Sequence, residues 1–129
     1  MIAFPYDASY EPPLPVCDVI LSAESTGRQT QLTAIIDTGA DGTIVPVRYL
    51  EEIGARRVFE TGLRSQWGER RTVFLYLVDL QIGELVLPGA YVVGDELGNE
   101  LVLGRDVLNE LRLLLDGPGG MAQLLDNTM

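Results

Sequence analysis

Apolar and polar residues alternate along most of this chain, and the alternation predicts a protein built mainly of β-strands. A first strand presents a row of apolar side chains at Cys17, Val19, Leu21 and Ala23. A polar turn over residues 24–29 leads into a second strand, and the apolar positions of that strand run up to Asp37. The pattern predicts a β-hairpin whose second strand ends at this carboxylate.

Three further segments extend the β pattern. Residues 58–83 predict a long hairpin with its tip between Ser65 and Glu69, and its second strand carries a strict alternating row at Phe74, Tyr76, Val78, Leu80 and Ile82. Residues 84–94 and 100–104 predict two more short strands. Short strands at such regular spacing are typical of a small closed β-barrel.

Helical periodicity is confined to two places. Val47, Leu50 and Ile53 lie three residues apart between Pro46 and Gly54, which predicts one short helix. Residues 105–112 predict a second. The fold class is therefore all-β with two short helices, arranged as a small closed barrel with a projecting hairpin.

The length of 129 residues suits a single domain. Residues 1–15 hold four of the seven prolines and show no sustained periodicity, so we expect an extended N-terminal arm there. Residues 16–129 then form one domain, which ends in a hairpin over residues 111–126 around an Asp-Gly-Pro-Gly-Gly turn.

The composition excludes several kinds of chemistry. The chain has no His, and its nine basic residues are all Arg, so Ser/His/Asp triads, Cys/His dyads, Schiff-base lysines and P-loop lysines are excluded. A single cysteine, Cys17, cannot form an internal disulfide or a Cys/His zinc site, and its alternating position predicts a buried apolar role. We predict no metal and no cofactor.

The charge and hydropathy also limit the partners. A net charge of −10 argues against a nucleic-acid partner, because phosphate binding depends on basic patches. Arg64, Arg70 and Arg71 surround Trp67, and this cluster is either a solvated hairpin tip or a small basic–aromatic binding patch. The chain shows no signal-peptide pattern and no apolar run near about 18 residues, so we expect a cytoplasmic protein without a membrane segment.

Candidate chemistry concentrates in the stretch "LTAIIDTGADGTIVP", where an apolar strand runs into Asp37. A calcium loop starting at Asp37 fails, because Gly39 stands at its third position and Arg48 at its twelfth. A phosphate-binding loop of the actin or sugar-kinase kind belongs to much larger two-lobed proteins. A tight turn that uses the carboxylate to accept backbone N–H groups is a third interpretation.

The segment "AIIDTGADGTIVP" resembles the active-site segment of the retropepsin-like aspartic proteases. The second signature of that family, an apolar pair followed by Gly, a polar residue and a short helix, resembles "LVLGRDVLNEL". The long hairpin lies between the two signatures, where the family places its flap. The resemblance covers roughly residues 16–116.

The resemblance implies an aspartic endopeptidase that hydrolyses peptide or protein substrates with a water activated by two carboxylates. One such motif is present, so it implies a homodimer in which Asp37 meets its counterpart in a second subunit. Asp116, which also ends an apolar run, is the intrachain alternative, although a hairpin turn explains it as well. Thr38, Gly39 and Ala40 would support the active site.

The resemblance also assigns residues to substrate binding. Asp41 would bind the substrate main chain and Arg105 would pair with it, whereas Asp106 and Gly42 depart from residues common in the family. Trp67 and Gly68 lie at the expected flap tip, where Trp67 would either cover the substrate or pack on the barrel. Glu100 is expected to border the substrate groove and to favour basic side chains. The alternative function is a non-catalytic dimerisation or peptide-binding module that keeps the fold.

Overall fold

The alternating segments form strands in the computed structural model, which describes residues 1–64, 68 and 70–126, with the backbone alone at positions 63 and 64. The strands are β1 (Ile2–Pro5), β2 (Val16–Ser22), β3 (Gln29–Ile36), β4 (Ile44–Pro46), β5 (Arg56–Arg64), β6 (Arg70–Ile82), β7 (Leu85–Asp95), β8 (Leu101–Leu103), β9 (Leu113–Asp116) and β10 (Met121–Leu124). The helices are α1 (Val47–Ile53) and α2 (Arg105–Leu108).

Six strands close into a barrel in the order β2-β3-β8-β4-β7-β6, and β6 pairs back with β2. Closure is possible because β6 is 13 residues long, so its first part pairs with β5 and its last part with β2. A closed ring leaves none of its own strands with a free edge. The predicted closed β-barrel with two short helices is confirmed.

The barrel core comes from the alternating rows of the two predicted hairpins. Leu21 and Leu80 are fully buried, and Val78 is 1% exposed. Burying each such side chain contributes about 1.5–3 kcal/mol. Cys17 lies in the same core with no exposed surface, and burial raises the pKa of its thiol to about 12. The prediction of a buried apolar role for Cys17 is confirmed.

One strand of the barrel was not predicted. β4 has three residues and follows a glycine-rich turn, so it carries no alternation of its own. It is a strand because both neighbours supply partners: β7 pairs with it in parallel and β8 in antiparallel orientation. The strand thereby joins β8, which leads into the second signature, to β7 in the barrel wall.

The helices differ in how well the sequence pattern described them. Helix α1 has the predicted bounds, and it ends at Gly54 in the left-handed conformation with φ 68°. Helix α2 is shorter than the predicted residues 105–112: it covers four residues, and the chain then continues as single turns to Leu111. In the part of the chain that the structure describes, no helix is long and apolar enough to cross a membrane.

A second, three-stranded sheet joins the two ends of the chain in the order β1-β10-β9. The terminal hairpin is present as β9 and β10, and β1 of the N-terminal arm pairs with β10, with Phe4 opposite Ala122. Among the described residues, β9 pairs with β10 alone, and Leu114 and Leu115 on it are 50% and 45% exposed. This terminal sheet therefore has an apolar open edge.

Candidate active site

Asp37 stands at the end of β3, where the strand leaves the barrel wall. Its backbone N–H donates to the carbonyl of Leu103 at 3.1 Å, which fixes Asp37 beside the end of β8. β3 and β8 run parallel, with Ile36 opposite Leu103, so both strands deliver their following loops to the same edge. The two sequence signatures are thus neighbours in space, although about 65 residues apart in sequence.

The Asp37 carboxylate is exposed and oriented by its own loop. Its Oδ1 accepts a hydrogen bond from the N–H of Gly39 at 2.9 Å, and the carbonyl of Asp37 accepts one from Ala40 at 3.2 Å. A Cβ on residue 39 would lie 3.2 Å from Oδ1, so glycine allows this close approach. Thr38 is exposed beside the carboxylate.

Asp116 is used differently from Asp37. It lies at the end of β9 in the terminal sheet, and its Oδ1 accepts the N–H of Gly119 at 2.9 Å. A Cβ on residue 119 would collide with this carboxylate, at 2.3 Å from Oδ2. The turn interpretation of Asp116 accounts for these contacts.

Arg105 braces the loop that carries Asp37. Its guanidinium forms an ion pair with Asp41, donates to the carbonyl of Thr38 at 2.8 Å, and its backbone N–H donates to Ala40 at 2.9 Å. Asp41 is 92% exposed, and an ion pair at such a surface contributes about 0.2–1 kcal/mol. Arg105 therefore acts mainly by fixing the position of the loop.

Behind this loop lies a polar contact that the sequence pattern did not indicate. Thr43 is fully buried, and its hydroxyl donates to Asp106 Oδ1 at 2.8 Å and accepts the N–H of Gly104 at 3.1 Å. Asp106 also accepts the backbone N–H groups of Thr43 at 3.2 Å and Val107 at 2.8 Å. Both carboxylate oxygens act as acceptors, which explains why an acid suits position 106.

The same place requires a glycine for steric reasons. A Cβ on Gly104 would lie 2.5 Å from the backbone carbonyl carbon of Gly42 and 2.6 Å from its oxygen. The two loops therefore touch backbone to backbone, and we call the contact of Gly42, Thr43, Gly104 and Asp106 the crossing. Its position behind the Asp37 loop lets it hold both signatures in register.

Half-buried apolar residues lie on the same face as Asp37. Ile35 precedes Asp37 by two residues, and it pairs with Val102, which in turn pairs with Ile44. We call Ile35, Ile44 and Val102 the apolar shelf. The sequence indicated part of this shelf, because Ile35 is an apolar residue at an outward position of an otherwise alternating strand.

Other predicted residues lie further from Asp37 along the chain. Glu100 precedes β8 and accepts a hydrogen bond from the Tyr10 hydroxyl in the N-terminal arm. Gly68 is exposed between β5 and β6, with φ 82°. Trp67 lies outside the described residues. The long hairpin itself is present, with Arg64 opposite Arg70 in its last described pair.

Comparison with known proteins agrees with this geometry. The family described as "gag-polyprotein putative aspartyl protease" matches residues 24–110, which is more than half of the chain. None of the curated proteins compared with the chain matches it significantly in sequence.

Solved structures show the same fold at low sequence identity. The EIAV protease in complex with the inhibitor HBY-793 is 20% identical, with a TM-score of 0.58 over 75% of this chain and 86% of that one. The retroviral protease-like domain of Ddi1 from Leishmania major is 18% identical, with a TM-score of 0.53 over 89% and 91%. A retropepsin-like aspartic protease from Rickettsia conorii is 15% identical, with a TM-score of 0.55 over 84% and 90%.

The matched residues 24–110 include Asp37, the long hairpin and most of the second signature. The matched segment thus holds the first signature, the second signature up to Glu110, and every barrel strand except β2 (Val16–Ser22), which precedes it. The chain belongs to the gag-polyprotein aspartyl protease family and has the retropepsin-like fold.

Proposed function

We propose that this protein is a homodimeric aspartic endopeptidase whose catalytic water is held between Asp37 of one subunit and Asp37 of the other. The observation that supports this most is the exposed Asp37 carboxylate, oriented by Gly39 at the point where both family signatures meet. Peptide hydrolysis needs a base and an acid, and one carboxylate cannot supply both at once. A twofold axis beside Asp37 would bring the second carboxylate, from the other subunit, next to the first.

The proposed reaction uses one shared proton. Like charges about 3 Å apart cannot both ionise, so one carboxylate of the pair stays protonated, as in aspartic proteases generally. The ionised carboxylate takes a proton from water as the water oxygen bonds to the peptide carbonyl carbon, and the other gives its proton to the carbonyl oxygen. As this intermediate collapses, the carboxyl that took the water proton gives it to the leaving nitrogen and the C–N bond breaks. The other carboxylate takes a proton from a hydroxyl of the intermediate as the carbonyl re-forms, which restores the shared proton.

The other site residues have supporting roles in this proposal. The exposed Thr38 hydroxyl would reach the partner backbone, Asp41 held by Arg105 would bind the substrate main chain, and the apolar shelf would receive apolar side chains. The hairpin of β5 and β6 would act as the flap, with Trp67 and Gly68 near its tip. The open edge of β9 would pair with its counterpart in the second subunit.

The test compares the wild type with Asp37→Asn on a diverse peptide library, from about pH 3 to about pH 7, with and without a statine-type inhibitor. We expect cleavage by the wild type that the inhibitor blocks, and a loss of at least about a thousandfold in the variant. The change from carboxylate to amide keeps the shape, so ultracentrifugation should give the same dimer for both proteins.

Two results would contradict the proposal. Cleavage that survives Asp37→Asn would remove Asp37 from the mechanism. Two dimeric proteins that both fail to cleave any peptide would instead favour the non-catalytic peptide-binding module.

A further inference from the structure

Tyr10 in the N-terminal arm and Glu100 before β8 are joined by a hydrogen bond, although they lie 90 residues apart in sequence. The arm holds Tyr10 in place through a closed loop. Asp7 and Leu14 exchange two backbone hydrogen bonds of 2.8 and 3.1 Å, and Asp7 Oδ1 accepts both the N–H and the hydroxyl of Ser9. Tyr10 therefore projects from an anchored part of the arm.

Glu100 is also on an anchored segment. Residues 96–100, which we call the β7–β8 loop, are tied to α1 by Arg48, whose guanidinium donates to Asn99 Oδ1 at 2.7 Å. Arg71 on β6 lies 3.7 Å from Asp95, the last residue before the loop. The loop is thus held by side chains at Asn99 and at Glu100, and the end of β7 before it by Arg71.

The position of Glu100 connects this contact to the candidate active site. Glu100 precedes Val102 of the apolar shelf by two residues and stands immediately before β8, so strand alternation places it on the side of the shelf, at the end of β8 away from Asp37. The shelf lies on the same face of the sheet as Asp37. A peptide lying along the shelf from Asp37 would therefore reach Glu100 and Tyr10.

We infer that Tyr10 and Glu100 form one wall of the peptide cleft, and that the Tyr10 hydroxyl, by occupying a carboxylate oxygen of Glu100, lowers the preference of this wall for basic side chains. The inference rests on the proposed function. A free carboxylate offers two oxygens to an arginine in a bidentate pair. Because one oxygen already accepts from Tyr10, an arginine would have to compete with the phenol.

Removing the hydroxyl should therefore change specificity. We expect Tyr10→Phe to raise kcat/KM for peptides with Arg near the cleavage site, relative to matched peptides with Gln, by about three- to tenfold. All variants are compared at one fixed pH, so that only the substitution differs between the measurements. Tyr10→Phe combined with Glu100→Gln should lose the gain, because the charge that attracts Arg is then absent.

Tyr91→Phe is the matched control. Tyr91 is an exposed tyrosine on β7, opposite Leu77 of β6 and away from the β7–β8 loop. The Arg preference should stay as in the wild type. Equal changes for Tyr10→Phe and Tyr91→Phe, or no change for Tyr10→Phe, would overturn the inference.

The contact itself has a readout that does not depend on activity. The hydrogen bond to Glu100 raises the pKa of the Tyr10 hydroxyl above its ordinary value. Titration of ring-labelled tyrosine by NMR should show this pKa fall in Glu100→Gln, whereas the other tyrosines keep theirs. If the Tyr10 titration is the same in Glu100→Gln as in the wild type, the contact is absent and the inference is wrong.

Peptide binding separates this inference from the proposed catalysis. If the wild type cleaves nothing, Arg and Gln peptides are compared for binding by fluorescence polarisation. If Tyr10→Phe binds Arg peptides better but nothing is cleaved, the role of Tyr10 and Glu100 in the cleft is supported and the proposed catalysis is wrong. If peptides are cleaved but Tyr10→Phe leaves the Arg preference unchanged, the role of Tyr10 and Glu100 is wrong and the proposed catalysis is unaffected. Peptides that are neither cleaved nor bound would overturn both.

Discussion

The crossing and the terminal sheet use their polar groups in different ways. At the crossing, Thr43, Gly104 and Asp106 pair their hydrogen-bonding groups within one chain, and among the described residues no buried side-chain N or O atom lacks a partner. In the terminal sheet, the described part of the chain supplies β9 with one paired neighbour and leaves two leucines about half exposed. One region is complete in the monomer, and the other has capacity for a further strand.

If the proposed two-subunit site is correct, the difference indicates how each half of the site is prepared before the second subunit binds. The crossing fixes the Asp37 loop through contacts that do not depend on a second chain. The terminal sheet takes no part in the hydrogen bonds described above for the crossing, and it offers an edge for association. Substitutions at the crossing should therefore change the stability of the monomer, and substitutions on β9 should change association.

The largest effect is expected for Gly104→Ala. The added Cβ would meet the backbone of Gly42 at 2.5 Å, and backbone cannot move aside as the end of a side chain can. We expect the free energy of unfolding to fall by about 3 kcal/mol, measured by urea denaturation.

Gly42→Ala is the matched control for the crossing, because a Cβ there has no atom within 4 Å. Its stability should stay within about 0.5 kcal/mol of the wild type. Equal losses in the two variants would show that the contact is not what makes Gly104 necessary.

A smaller effect is expected for Thr43→Val. The substitution keeps the shape and removes the hydroxyl, so the buried N–H of Gly104 loses its acceptor and Asp106 loses a donor. Leaving such groups unpaired should lower the free energy of unfolding by about 2 kcal/mol.

Thr33→Val serves as the comparison for this variant, since Thr33 is an exposed threonine on β3. The same chemical change there should be nearly neutral by urea denaturation, because no buried group depends on it. A loss in Thr33→Val as large as in Thr43→Val would show that the effect does not come from the buried hydrogen bonds of Thr43.

The sequence predicted those parts of the fold that local periodicity determines. The alternating rows predicted the two hairpins, and the apolar spacing predicted α1, because each pattern reflects the buried face of a single element. β4 has three residues and owes its strand conformation to β7 and β8, so no local pattern could indicate it. Helix α2 is shorter than its apolar spacing suggested, since the chain turns away after Leu108.

The candidate site also has residues that the sequence identified and contacts that it did not. Asp37 and Arg105 were identified through resemblance to a family, and the outward Ile35 gave a local signal of the apolar shelf. The contact between Thr43 and Asp106 joins residues 63 apart, and that between Tyr10 and Glu100 joins residues 90 apart. The local sequence around either residue does not indicate such a pair, because each partner also suits an ordinary turn or surface position.

The third prediction concerns the terminal sheet. Leu114→Arg would place a charge on the open strand β9, and in a twofold dimer the same charge would face it from the partner. We expect the dissociation constant to rise at least tenfold, about 1.4 kcal/mol, by ultracentrifugation, while the urea midpoint of the monomer stays unchanged. Deletion of residues 117–129 removes β10 and should give monomers outright.

Ala3→Arg is the control at the opposite edge of this sheet. Ala3 is exposed on β1, and the next residues of that strand include Pro5, which suits a strand edge that does not extend further. A charge at Ala3 should therefore leave the dimer intact. If Ala3→Arg weakened association more than Leu114→Arg, the pairing edge would be β1 rather than β9. If the wild type and both variants were monomers at high concentration, the pairing of β9 across a dimer and the two-subunit site would both be wrong.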